Sequence, residues 1–345
     1  MNLVPKKIVT LALASLMTLA LSGFAFSDLA QAQSKKAKPV TLRYSTMNPM
    51  EHVSYTVARE IKAEVEEKTE GRVLINIYPA AQLGDWVQVY DELMMGSIDM
   101  AHSSVPETYD ARMSVGYFPY LAKDYEELAK VFDPDSFVVK LMAEMQAKQG
   151  IYFCGFFAEG LAGIGTDREI KNPTAVTGDK GILIRTAAMD CYIKSLEYVG
   201  FRTTSIPFSD IFASMQTGVV NGYAGAPANV AYTALRDVTK YYYVYNMHPE
   251  VTQIMISQKT LNKLSEADQK VLIEASRARC LASTAMAEAE DESYYEKLAA
   301  NGTKVVRFTP EELEAFAVAT RKGVWPMLAE TYTPEFVQQL QQFYK

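Results

Sequence analysis

Between residues 181 and 222 the chain reads GILIRTAAMDCYIKSLEYVGFRTTSIPFSDIFASMQTGVVNG. Short β-rich runs alternate here with helical segments, so the stretch predicts strand, helix, strand, helix, strand. That alternation commits the region to an α/β fold with a largely parallel sheet. The first strand ends on Arg185. A guanidinium is always charged and offers a planar fork that fits a carboxylate or similar oxyanion bidentately. A lone arginine is by default a solvated surface residue. At a strand end in an α/β protein it instead faces the crevice where ligands bind.

The N-terminus carries Lys6 and Lys7, an apolar run over residues 9–21 and an Ala30-Gln31-Ala32 cleavage site. This is the pattern of a secretory signal peptide, because the run is too short to span a bilayer. Cleavage after Ala32 and a periplasmic location are expected. Removing Lys6, Lys7 and Asp28 from 34 basic and 41 acidic side chains leaves 32 and 40, a net of −8. With no basic cluster beyond residues 35–38, nucleic acid is not an expected partner. The length suggests about two domains.

Cys154, Cys191 and Cys280 are too widely spaced for a metal or redox motif and are expected as small buried residues, although sequence leaves a disulfide open. His52, His102 and His248 show no metal-ligand spacing. No nucleophile elbow, zinc-protease, P-loop or dinucleotide motif is present, so neither a cofactor nor a metal is expected, and catalysis is the weaker reading.

The rest of the chain repeats the α/β theme. Residues 41–46, 73–77 and 98–102 predict strands, separated by helices at 54–68 and 86–95. Residues 125–149 predict a helix broken at 133–135, and 151–157 a strand. A helix at 229–236 and strands at 241–245 and 251–257 follow. Ser265-Glu266-Ala267-Asp268 opens a long helix to about residue 300, and Thr309-Pro310-Glu311-Glu312 opens another after a strand-like 303–308. Thr333-Pro334-Glu335 starts the last. No linker separates the two α/β clusters. The expected fold is therefore α/β with two lobes that exchange strands around a cleft, and long C-terminal helices. One lobe is expected to hold 40–158 and about 249–285, the other 159–248 and about 286–345.

Three passages carry a family resemblance: Glu66-Glu67-Lys68-Thr69-Glu70-Gly71-Arg72-Val73 through Pro79-Ala80-Ala81-Gln82-Leu83-Gly84-Asp85, the strand from Gly181 to Thr186, and Ile206-Pro207-Phe208-Ser209-Asp210-Ile211 through Gln216-Thr217-Gly218-Val219-Val220-Asn221-Gly222. Together they resemble the solute-binding proteins of TRAP transporters, the DctP-like family, over nearly the whole chain after the leader. The resemblance implies a periplasmic binding protein fold and a receptor, expected as a monomer, that delivers a small organic anion to the membrane permease of a TRAP transporter. It implies that Arg185 pairs with the ligand's carboxylate and that Phe208 packs against the ligand. Ser209 or Asp210 is expected to cap the helix beside Phe208.

The chain also departs from that pattern. The family's second arginine is missing from Glu159-Gly160-Leu161-Ala162-Gly163-Ile164-Gly165-Thr166, and its binding asparagine from Asn221-Gly222-Tyr223-Ala224-Gly225-Ala226-Pro227. Tyr223 and Asn229 are candidate substitutes. Trp86 can wall a smaller pocket, Ser103 and Ser104 offer hydroxyls after a strand, and Asn48 and His52 lie in the first loop. Fewer polar partners favour a smaller ligand: a short carboxylate, a hydroxy or oxo acid, or a small sulfonate such as isethionate. The alternative is a secreted two-lobed enzyme acting on a small acid.

Overall fold

The computed structural model describes residues 38–343; the expected signal peptide lies outside them. The strands are β1 (Val40–Thr46), β2 (Val73–Tyr78), β3 (Met100–Ser103), β4 (Ile151–Leu161), β5 (Ile164–Thr166), β6 (Leu183–Thr186), β7 (Arg202–Ser205), β8 (Gly222–Tyr223), β9 (Tyr241–Tyr243), β10 (Pro249–Ser257) and β11 (Lys304–Val306). They form two sheets, ordered β2-β1-β3-β10-β4 and β11-β9-β5-β8-β6-β7.

In the first sheet β1 lies parallel to both β2 and β3, which the helical connections between them allow. The helix Trp86–Met95 shows how locally this is encoded. Asp85 caps its start by accepting the Val87 N–H at 3.1 Å, and Gly96, at φ 76°, ends it. Of the two remaining strands only β10 is reversed: it runs antiparallel to both of its neighbours, β3 and β4. β4 extends to Leu161, beyond the expected end, and β5 was not legible in its glycine-rich sequence. In the second sheet β6 is parallel to β7 and β8.

The chain passes between the sheets three times: from β10 to β11 through the helix Glu266–Ala300 and, as two short segments, from β4 to β5 and from β9 to β10. These segments pair with each other: Ala162 N–H donates to His248 O at 2.8 Å, and Met247 N–H to Ala162 O at 3.2 Å. The fold is thus α/β with two lobes joined by paired crossing strands.

The helix Glu266–Ala300 has 35 residues, so it is about 50 Å long. It packs on β4 and on the helices Val53–Lys68 and Ala228–Thr233, touching elements of both sheets. Ser265 caps its start through the Asp268 N–H at 3.1 Å. Thr309 and Glu312 close a reciprocal capping box on the helix Pro310–Tyr332. All three cysteines are buried and free.

Candidate functional site

Arg185 stands at the sheet end expected of a ligand group, yet only 3% of it is exposed. Its Nε–H donates to Ile206 O at 2.8 Å and Nη1–H to Ala224 O at 3.2 Å. Two backbone carbonyls therefore fix the plane of the guanidinium, while the described hydrogen bonds leave its other N–H groups for a ligand. Burial lowers its pKa to about 10, opposed by Tyr192 and Glu250, so it remains a cation at neutral pH. The Phe208 ring lies with its centroid 6.0 Å from the guanidinium carbon.

Arg185 and Phe208 line a cavity shared by residues of both sheets, and Trp86, Ser104 and Asn48 line it with them. Its void is small, about 60 Å³, against the roughly 10–15 Å³ that one water needs on the same measure. Trp86 reaches it from the first turn of its helix. Tyr117 and Tyr192 add aromatic walls, with ring centroids 6.1 Å apart.

Four expected residues do not line this cavity. Tyr223 is fully buried in the second sheet's core, packed over Gly165, with its hydroxyl 2.8 Å from Thr239 Oγ1. Ser103 turns its hydroxyl onto Ser104 O at 2.8 Å. His52 caps the helix Val53–Lys68, its Nδ1 accepting the Ser54 N–H at 3.2 Å. Asn229 accepts the Val230 N–H at 2.6 Å and lines a second groove, which shares Glu159 with the cavity. In each case the local backbone or core engages the polar group first. Neither Ser209 nor Asp210 caps the helix Ile211–Gln216; Ser209 Oγ donates instead to Asp210 Oδ1 at 3.3 Å.

Besides the tyrosines, the structure adds two cavity carboxyls that the sequence reading passed over, Glu159 and Glu250. Glu250 pairs across the ladder with Gly160, but Val251 pairs with Ala158, so Glu159 is the extra residue of a β-bulge. A bulge re-aims a side chain, and here it brings a second carboxyl to the cavity beside Glu250. Glu250 accepts a hydrogen bond from the Tyr192 hydroxyl. Glu159 accepts one from Thr252 Oγ1 at 2.8 Å, and its other oxygen lies 3.9 Å from His52 Nε2. Burial pushes Glu250 up to about 8 and Glu159 up to about 7, outweighing these hydrogen bonds. Burial lowers His52 to about 4, which keeps it neutral. The available signal covered only one of them: Glu159 is the one charged residue in the apolar run 151–165, where an unpaired charge is costly, whereas Glu250 lies between His248-Pro249 and Thr252-Gln253. Among the described residues no cluster of His, Cys, Asp and Glu fits a metal ion.

Known proteins share this architecture. A TRAP periplasmic solute-binding protein from Haemophilus influenzae with bound L-gulonate superposes with a TM-score of 0.77 at 21% identity, covering 88% of this chain and 99% of its own. One from Shewanella oneidensis with bound succinate gives a TM-score of 0.77 at 19% identity, covering 89% and 100%. At that identity the likeness speaks for the fold. The sialic acid-binding periplasmic protein SiaP of Vibrio cholerae is 23% identical over 237 residues, 68% of this chain and 73% of that protein. The family described as bacterial extracellular solute-binding protein, family 7, matches residues 44–331. The chain belongs to this family, DctP, whose members are solute-binding proteins of TRAP transporters rather than enzymes.

Proposed function

We propose that this protein is a periplasmic receptor that holds a small organic acid in the cavity between its lobes and hands it to the permease of a TRAP transporter. Arg185 takes the acid group, a carboxylate or a small sulfonate, and Phe208 covers the apolar part of the ligand. Trp86, Ser104 and Asn48 complete the wall. The observation that carries this reading is a nearly buried guanidinium, fixed by two backbone carbonyls and facing a small void. Such a group is costly to leave without an anion and strengthens its pairing as water is excluded. Closure turns on the paired crossing segments near residues 162 and 247, which join the lobes. The L-gulonate and succinate bound by two structural neighbours support a small-acid ligand.

The test is isothermal titration of the purified protein with short carboxylates, hydroxy and oxo acids and isethionate, beside Arg185→Ala. Binding of one or more of them, lost in the variant, is expected. A variant that binds as tightly as the parent removes Arg185 from the assigned role.

A further inference from the structure

We propose that the acid taken by this receptor also carries a cationic nitrogen, so that the ligand is a small zwitterion of the amino-acid or betaine class. The inference rests on the receptor reading above and assigns the other end of the same cavity. Among the residues lining that cavity Arg185 is the only lysine, arginine or histidine, and it is matched by two carboxyls, Glu159 and Glu250. Those carboxyls are placed deliberately in structural terms. Glu250 is the second residue of β10, and the bulge at Glu159 brings the second carboxyl alongside it, each within a few residues of the crossing segments.

The described hydrogen bonds engage one oxygen of each carboxyl, from Tyr192 and from Thr252. The second oxygen of Glu159 has only His52 Nε2, at 3.9 Å, which is beyond hydrogen-bond range. Tyr117 and Tyr192, the aromatic pair of the cavity, sit at this acidic end. Tyr192 bonds Glu250, and Tyr117 donates to Val251 O at 2.6 Å. An ammonium is held well by aromatic faces and carboxylates together.

Charge balance separates the ligand classes. A dicarboxylate would set its second carboxylate beside two carboxyls with no second cation. A simple monoanion satisfies Arg185 and leaves both glutamates to stay neutral. A zwitterion satisfies Arg185 with its carboxylate and lets a glutamate ionise against its nitrogen. The charged and titratable groups around Glu250 are Tyr192 on the helix Asp190–Tyr198, Glu159 on β4, Arg185 on β6, Asp291 on the long helix, and Tyr117. Of these only Arg185 is a cation, and burial holds the carboxyls near neutrality, ready to be ionised by an incoming ammonium.

The test is titration calorimetry with matched pairs: glycine betaine against 3,3-dimethylbutanoate, alanine against lactate, and proline against tetrahydrofuran-2-carboxylate. In at least one pair the zwitterion is expected to bind about tenfold or more tighter than its isostere, the scale of a desolvated cation–π and ionic contact. Its affinity should rise from about pH 6 to about pH 8, because binding ejects a proton from a carboxyl. Glu250→Gln should bring the zwitterion down to its isostere or below. Glu159→Gln serves as the second variant if that protein fails to fold. The proposal is overturned if the isosteres bind as tightly or tighter in every pair, with affinity falling over that pH range; the receptor for a monoanion then stands. Absence of binding by any member of either set, and by the short acids above, overturns both readings.

Discussion

The cleft has two chemically opposite ends, and the same burial treats them differently. At one end the guanidinium of Arg185 is desolvated and its pKa falls to about 10. At the other, Glu159 and Glu250 are desolvated and rise to about 7 and about 8. Arginine starts so far above neutrality that it stays charged, whereas a carboxyl starts near 4.3 and is carried into the physiological range. One end is therefore a fixed cation and the other a pair of titrating acids. Burial yields a permanent charge only where the unperturbed pKa is remote from the working pH.

Removing the fixed end should give the largest effect. Arg185→Ala is expected to weaken binding of any carboxylate ligand by about 2–5 kcal/mol, since it leaves the ligand's charge buried without its partner. Titration calorimetry reads this directly. Arg185→Lys should recover only part of it, because an ammonium does not reproduce the planar fork held between Ile206 O and Ala224 O. Full recovery by lysine would mean that the site needs only a point charge.

The two ends also differ in how far the sequence revealed them. Arg185 was legible because local pattern determines its place: β6 is a short strand that opens a strand–helix–strand unit, and its end is a crevice. Phe208 followed from the same unit. The two-lobed α/β fold was readable for the same reason, since caps such as Asp85 and Thr309 and period-two strands act within a few residues. Glu159 and Glu250 depend on a register between strands ninety residues apart in sequence, interrupted by a bulge that no local pattern announces. Tyr223, Ser103, His52 and Asn229 failed in the opposite direction. Each lies near the site in sequence, but Thr239, Ser104 O, Ser54 and Val230 engage its polar atom.

The acidic end can be broken without touching either carboxyl. Gly160 has φ +123°, and a Cβ there would come within 2.2 Å of Asp291 Oδ2. Asp291 cannot easily yield, because it accepts the Leu161 N–H at 2.9 Å and the Tyr125 hydroxyl at 2.7 Å. Gly160→Ala is therefore expected to destabilise the fold by about 1–3 kcal/mol through overpacking and strain, read by urea denaturation. It should also disturb the bulge and so weaken the ligand's contact with Glu159 more than its contact with Arg185. An unchanged denaturation midpoint would show that the long helix gives way freely at this point.

The smallest effect is also the one that separates the ends most cleanly. Folded Glu250 and Glu159 hold protons to about pH 8 and about pH 7, whereas unfolded glutamate releases them near 4.3. The folded state therefore binds more protons in this window, and stability falls as pH rises through it, levelling above the folded values. Burial sets His52 at about 4, and His102 and His248 at about 3. They act the other way, costing stability as pH drops below about 6.5. Above that pH the carboxyls dominate. Between about pH 6.5 and 7.5 the unliganded protein should lose up to about 1.4 kcal/mol per pH unit for each proton retained. Glu250→Gln should reduce that slope, leaving the shares of Glu159 and of Asp291, which burial also raises to about 7. A saturating zwitterion should reduce it too, since it ionises the carboxyl in the folded state, whereas a saturating monoanion should leave it or steepen it. If the slope is the same in the parent and in Glu250→Gln, Glu250 does not titrate in this range, and the acidic end is as fixed as the cationic one.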